Sequence, residues 1–310
     1  MNKDVNDFIT YFKEGNSDNT NSNYKPMLNK LCNLDDWDNA EIKELISDLQ
    51  NVYLESYIHR KDWSIIKGNI LQPRKQGYIH RKDWEWSMGI LAMQRLGKLN
   101  KGSIALGIGV GREEILFYLA NKLKHVYATD IYDGKQWETF APSDFPENPK
   151  KYSPIPYKEE ALTVLRMDGT KIDFPSQSFD IVFSFSSIEH FGGENHEGSL
   201  KSLREIERVL KQQGIAIIAT EFIINDKDHQ EFFNRKTIYS HLIDKLDSLK
   251  LIEPLDLRLT TKTIDTVMDY SECVYWDTSN DDVFRSSRPL IVIKHKDILF
   301  TSVMLVFKKE

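Results

Sequence analysis

Ser103–Glu114 reads SIALGIGVGREE. A short apolar strand over Ser103–Leu106 runs into Gly107, Gly109 and Gly111, and a helix is predicted to follow over Arg112–Leu123. Glycines there let the backbone turn sharply and approach a ligand closely, because no Cβ stands in the way. The helix start offers unpaired N–H groups that suit an anion such as a carboxylate. Arg112 occupies the position where the dinucleotide fingerprint GxGxxG would place Gly or Ala, and no GK[ST] ending marks a phosphate loop. A glycine-rich turn taken alone also serves as a plain structural device.

The segments downstream give the turn its meaning. A strand over Val126–Thr129 leads into Asp130, nineteen residues after Gly111. A carboxylate at the tip of a second strand can accept two hydrogen bonds from a ribose diol. Asp168 stands in RMDGTKIDFPSQSFDIVFS, before a short turn and ten residues ahead of a strand that begins near Ser178. There it can accept a proton from an exocyclic amine. Either acid alone also reads as a helix cap or turn residue. Both together, at successive strand ends after the glycines, describe a nucleoside site. Further on, a strand is predicted over Phe179–Phe185, a helix over Leu200–Lys211 and a strand over Ile215–Thr220, with Gly214 ending the turn between the last two. Near-continuous apolar strands alternating with helices predict a parallel sheet covered on both faces. Leu290–Lys294, the turn His295–Asp297 and Ile298–Lys308 predict a terminal hairpin.

The chain has 310 residues, a length that suits one large or two small domains. Its formal charge of −6 excludes a general nucleic-acid binder, which needs a positive footprint. Two cysteines, Cys32 and Cys273, cannot form a disulfide framework, and reduced, cytoplasmic residence is expected. No signal peptide and no membrane span is expected. Residues 1–25 read as a poorly ordered start with one short helix over Val5–Lys13. Ile42, Leu45, Ile46, Leu49, Val52 and Tyr53 recur at helical spacing, with Asp38 or Asn39 as cap. YIHRKDW then occurs twice, at Tyr57–Trp63 and Tyr78–Trp84. Two copies are too few for a solenoid. The second is expected to hold the working position, because it runs straight into a helix over Trp84–Leu96.

The ordered set LGIGVG, ATD, MDGTKIDFPSQSFDIVFS, SIEH and LREIERVLKQQGIAIIAT resembles the class I S-adenosylmethionine-dependent methyltransferases, from roughly Trp84 to the C-terminus. The resemblance implies an α/β, Rossmann-like fold: a seven-stranded, mostly parallel sheet with an antiparallel last strand and helices on both faces. Residues 1–77 would form an N-terminal helical extension, and 78–310 the methyltransferase domain, with inserts near 132–157 and 260–289. The implied cofactor is S-adenosyl-L-methionine. Gly107, Gly109 and Gly111 would face its methionine part, and Asp130 would hold the ribose hydroxyls. Asp168, with the Gly169 backbone, would read the adenine, and Ser184 would flank the site. Two departures stand out. Ala105 replaces the acid often found two places before the first glycine, so amine recognition would fall to Glu113, Glu114 or Glu85. The insert Tyr132–Tyr157 carries Trp137, Phe140, Phe145, Tyr152, Tyr157 and five prolines, which suit a lid or substrate wall and equally a packed surface loop.

A sulfonium methyl is already activated, so alignment of the acceptor supplies most of the catalysis. An oxygen acceptor also needs a base. His190, just past the fourth strand, is the catalytic candidate, and a pocket-wall role is its structural alternative; His196 and Glu194 follow on the next loop. Some relatives bind a divalent ion through E-x-x-E-H. Here Ser186 takes the first Glu position, leaving Glu189 and His190, with His196 needed to complete a set, and no metal is expected. Arg81, Trp84 and Glu85 either close over the cofactor or leave Trp84 and Trp86 to pack while Arg81 and Asp83 stay solvated. Tyr270, Tyr275, Trp276, Arg285 and Arg288 in the second insert suit a sugar or acidic small molecule, and equally a homodimer interface. The expected activity is methyl transfer to a small-molecule or carbohydrate (glycan-type) acceptor, at oxygen. The alternatives are a non-catalytic protein of the same fold and an NAD(P)-dependent oxidoreductase. Against the latter, no Tyr-x-x-x-Lys pair follows the fourth strand (Tyr239 is followed four places on by Ile243).

Overall fold

The computed structural model describes residues 25–59, 79–135, 140–193, 196–271 and 289–310. The predicted Val5–Lys13 helix, the end of the first YIHRKDW copy, Trp137, Glu194, and Cys273, Tyr275, Trp276, Arg285 and Arg288 of the second insert lie outside them.

The apolar runs form the expected parallel strands. β2 (Ile104–Ile108) lies between β3 (His125–Asp130) and β5 (Phe179–Phe185), β4 (Leu162–Arg166) flanks β3, and β6 (Leu210–Ile223) flanks β5, all parallel. β10 (Ile298–Lys309) then runs antiparallel to β6 along nine residue pairs, the expected antiparallel last strand. With β7 (Leu249–Leu251) on β10, the seven-stranded order is β4-β3-β2-β5-β6-β10-β7. The sheet goes beyond the seven-strand expectation, with ten strands among the described residues. β1 (Lys30–Leu31) and β9 (Ile293–His295) also pair with β10, and β8 (Met268–Asp269) pairs with β9. The outer edge of β10 is thus shared along its length by β9, β1 and β7, each only two or three residues long. The predicted hairpin is β9–β10, turning through Lys296 at φ 53°.

Helices cover both faces. α1 (Ala40–His59), α2 (Arg81–Arg95) and α3 (Ile115–Lys122) bury Ile42, Trp84, Met88 and Phe117 against Ile181, Phe183 and Phe185. On the other face α4 (Glu197–Val209) and the π-helical turn Ile238–Ile243 bury Leu203, Ile206 and Leu242 against Leu106, Ile108 and Val182. From Ile181 onward, the two-residue period of β5 sends successive side chains to opposite cores. α1 is capped by Asn39, whose Oδ1 accepts from the Glu41 and Ile42 N–H groups. α4 ends earlier than predicted because Leu210 already pairs with Phe179, and Gly214 falls inside β6 rather than ending a turn. No helix among the described residues is long and apolar enough to cross a membrane.

The N-terminal segment contributes more than helix. Leu28, Cys32 and Ile42 join the main core, and β1 joins the sheet. The fully buried Asp36 carboxylate accepts from Lys30 Nζ, from Trp84 Nε1 at 2.7 Å and from the Asn33 N–H at 3.1 Å. The second YIHRKDW copy builds the start of α2, with the Lys82 N–H donating to His80 Nδ1 at 2.9 Å.

Candidate active site

Strand register gathers the predicted residues at one edge. Gly107 is level with Ala128 on β3 and Phe183 on β5, while Asp130 is level with Arg166 on β4. The glycine loop, Asp130, Asp168 and the turn Ser186–His190 therefore all leave the sheet at its carboxyl end. Strand order reverses between β2 and β5, and that reversal opens the crevice in which ligands of such sheets bind.

The loop is held by its neighbours. Thr129 Oγ1 donates to the Gly107 carbonyl at 2.7 Å, and the Val110 N–H reaches the Thr129 carbonyl at 3.2 Å. Gly109 (φ 62°) and Gly111 (φ 47°) lie in the left-handed region that other residues adopt at a cost. A Cβ at Gly109 would come within 2.7 Å of Ser187 Cβ, and one at Gly111 would run into the Phe140 carbonyl. The first insert therefore presses on the loop. Arg112 N–H donates to the Phe140 carbonyl at 2.8 Å, and Tyr132 Oη donates to the Gly111 carbonyl at 2.6 Å. Phe145 is fully buried and Tyr152 nearly so, which makes much of this insert a packed structure rather than a loose flap. Phe140, 40% exposed, stays at the rim.

Asp130 accepts from the Gly111 N–H at 2.8 Å and the Ile131 N–H at 2.7 Å, one on each carboxylate oxygen. Burial pushes its carboxyl up, against the pull of those two bonds. Ile131 beside it is 57% exposed, an apolar face that sequence reasoning passed over although it directly follows the strand-end acid. Asp168 Oδ1 accepts from the Thr170 N–H and Oγ1, and Oδ2 has no partner among the described residues. Gly169 is buried, with the Phe191 ring against it and against Gly109. Ser184, expected to flank the site, is fully buried in β5 and its hydroxyl has no partner among the described residues. The residues that reach the edge are Ser186 and Ser187, because the strand has ended there; Ser187 Oγ donates to the Gly109 carbonyl.

Behind the edge lies a buried ionic cluster. One of the two readings left Arg81 and Asp83 solvated, but Asp83 is buried and Arg81 donates to Glu221 at 2.6 Å and to Ser302 Oγ at 2.9 Å. Lys82 contacts Glu113 at 2.6 Å, Glu85 at 3.1 Å and the Phe185 carbonyl at 2.9 Å. Glu85 accepts from Ser186 Oγ and Ser302 Oγ. Charges on one turn of α2 are buried because carboxylates from β6 and the glycine loop meet them. Burial raises Glu113 and Glu221 to about 7. Glu85 is also penalised by burial, but Lys82 and Arg81 hold it below the usual carboxylate range. The sequence signal was a carboxylate in an otherwise apolar strand, Glu221 after IAIIAT.

His190 closes the short turn Ile188–His190, and its Nδ1 lies 3.0 Å from Glu231 Oε2. Glu189 is buried and accepts from Thr220 Oγ1 at 2.8 Å. Among the described residues no three metal-ligating side chains converge.

The residues present fit an adenosyl cofactor. Each Asp130 oxygen keeps a lone pair for a ribose hydroxyl, Ile131 offers a face to a base, and the loop main chain carries no Cβ at its tightest points. Residues 106–218 match the family described as a methyltransferase domain. No curated protein matches the sequence. Among solved structures, the chain is similar to the YcgJ protein from Bacillus subtilis (TM-score 0.44, 13% identity, covering 73% of this chain and 98% of that one). It is also similar to a SAM-dependent methyltransferase from Aquifex aeolicus (0.40, 17%, 78% and 96%). A third is a TehB-like SAM-dependent methyltransferase from Corynebacterium glutamicum (0.40, 13%, 83% and 99%). Residues 106–218 thus carry a methyltransferase domain, whose cofactor is S-adenosylmethionine.

Proposed function

We propose that this methyltransferase acts on an oxygen of a small-molecule or glycan-type acceptor, with His190 as the base. The observation that carries the reading is the His190–Glu231 pair at the carboxyl edge of the sheet. A carboxylate can only accept from Nδ1–H, so the pair favours the tautomer whose basic nitrogen is Nε2. The cofactor supplies the activated methyl group. Gly107, Gly109 and Gly111 give its methionine part a close approach to main chain. Asp130 takes the ribose hydroxyls, Ile131 the face of the base, and Asp168 Oδ2 with the Gly169 backbone its amine. His190 would take the acceptor's hydroxyl proton, and the bound cofactor would supply the methyl by giving up its carbon–sulfur bond and leaving as S-adenosylhomocysteine; Glu231 would steady the imidazolium that results. We place the protein in the cytoplasm, since its described cysteine, Cys32, is buried as a free thiol. We also take 78–310 as the methyltransferase domain and 1–77 as its extension.

The test has two stages. Calorimetric titration with S-adenosylmethionine, NAD and NADP is expected to show binding of the first alone. Transfer of labelled methyl to a metabolite extract then identifies the acceptor. His190→Ala is expected to lower turnover by 10²- to 10⁴-fold, the usual worth of a general base, with cofactor affinity retained. Wild-type turnover in that variant would leave His190 a wall residue.

A further inference from the structure

A cleft of about 220 Å³ opens beside the Ser186–His190 turn, lined by Glu189, Gly192, Gly193, His196, Gln230 and Glu231. Two of its side chains carry buried polar atoms with no hydrogen-bond partner among the described residues, Glu189 Oε1 and His196 Nδ1. Glu189 is 2% exposed and His196 5%. Native interiors rarely leave such atoms alone, because a buried acceptor without a donor costs free energy. Both atoms are acceptors. Burial, then His241, lowers His196 to about 4, so the ring is neutral. It hydrogen-bonds to the Glu231 backbone, a bond that needs its ring N–H, and Nδ1 is left as the lone pair.

Charge points the same way. Glu189, Glu85, Glu113 and Glu221 form a connected buried set with only Arg81 and Lys82 set among them. Four carboxylates face two cations, and Glu189 is the member that lines the cleft. Glu231 adds a further carboxylate at its mouth. A cleft whose unmet groups accept hydrogen bonds, in front of carboxyls that burial pushes up for want of countercharge, calls for a ligand that brings several donors and a positive charge. A primary ammonium group does both.

We propose that this cleft seats an ammonium group of the methyl acceptor through Glu189 and His196, making the acceptor a small hydroxylated amine such as an amino alcohol or amino sugar. This rests on the reading of His190 as the base for an oxygen acceptor. His190 follows Glu189 directly and its Nδ1 lies 3.0 Å from Glu231 on the cleft wall, which sets the imidazole next to the cleft that would hold the ammonium.

The test is calorimetry on the full chain saturated with S-adenosylhomocysteine. Glucosamine is compared with glucose, and ethanolamine with ethylene glycol. At least one amine is expected to bind ten or more times tighter than its neutral counterpart, and Glu189→Gln is expected to abolish that preference. Equal binding within both pairs, no binding of either amine, or a preference that survives Glu189→Gln overturns the proposal. So does mutual exclusion of amine and S-adenosylhomocysteine, which would give the cleft to the cofactor. The wild-type comparison stands by itself should the variant not fold. The oxygen reading is judged separately, from whether labelled methyl ends on oxygen or nitrogen in the product.

Discussion

Asp130 spends both carboxylate oxygens on its own chain, on the Gly111 and Ile131 N–H groups, and would still serve a ribose with the lone pairs left over. Removing it should therefore act twice. Asp130→Ala strips the part-buried Gly111 N–H and the exposed Ile131 N–H of their acceptor, a loss of about 1 kcal/mol. It should also weaken S-adenosylmethionine at least tenfold in calorimetry, and unchanged affinity would take Asp130 out of the site. Glu221 gives a different kind of prediction. Burial raises it to about 7 in the folded chain, against an ordinary glutamate value of about 4.3 in the unfolded one. The folded state then holds a proton that the unfolded state has released, so this group favours folding at low pH and loses that contribution as pH rises from about 4.3 through 7. Glu221→Gln cannot titrate. The melting temperature of the variant minus that of wild type should grow more positive from pH 5 to pH 8. His196 titrates with the opposite sign but cancels in that difference. A gap that does not change with pH would mean the Arg81 guanidinium keeps Glu221 ionised throughout.

At the level of elements, the glycine loop and the first insert behave as one unit. The Phe140 carbonyl accepts from Arg112, and Gly111 has room for nothing larger than hydrogen on that side. Gly111→Ala combines a left-handed φ with a clash against main chain, which cannot rotate away, and should cost about 1–3 kcal/mol. Limited proteolysis should then cut within 132–157 well before wild type is cut, while cleavage at the wild-type rate would show that the insert does not depend on the loop. The parallel half of the sheet was legible beforehand because buried parallel strands read as near-continuous apolar runs, as Ile104–Ile108 and, apart from Asp180 and Ser184, Phe179–Phe185 do. β1, β7 and β8 were not, because two or three residues are too few to show any period. Asp130 and Asp168 were legible from their places after strands. The cluster around Arg81, Lys82 and Glu85 was hidden, since charges three and four apart on a helix read as a solvated face. Only the fold brings Glu221 and Glu113 to them. The end of β5 was read correctly at Phe185, but Ser184 still lies inside the strand and its side chain is buried, so the residues past the strand end, Ser186 and Ser187, are the ones at the edge.

Across the whole molecule, β10 decides what belongs together. It is buried along nearly all of its length, paired inward with β6 and outward with β9, β1 and β7, so the last residues of the chain hold both the catalytic edge and the N-terminal segment. The described part of that segment, although it precedes the methyltransferase domain in sequence, shares its core through Leu28, Cys32 and Ile42. The tie with the sharpest consequence is Asp36. Its carboxylate is fully buried, neutralises the buried Lys30 ammonium and accepts from Trp84 on α2. Asp36→Ala would take this carboxylate from the buried Lys30 ammonium and leave the Trp84 indole N–H without its acceptor, at a cost of about 3 kcal/mol. Because both partners lie within the common core, that cost should fall on the whole chain. Urea unfolding followed by tryptophan fluorescence and by circular dichroism should shift to lower midpoint in both signals together, with cofactor-stabilised and cofactor-free samples destabilised alike. Two separated transitions, with only the first displaced, would show instead that the N-terminal segment unfolds on its own and that the methyltransferase sheet stands without it.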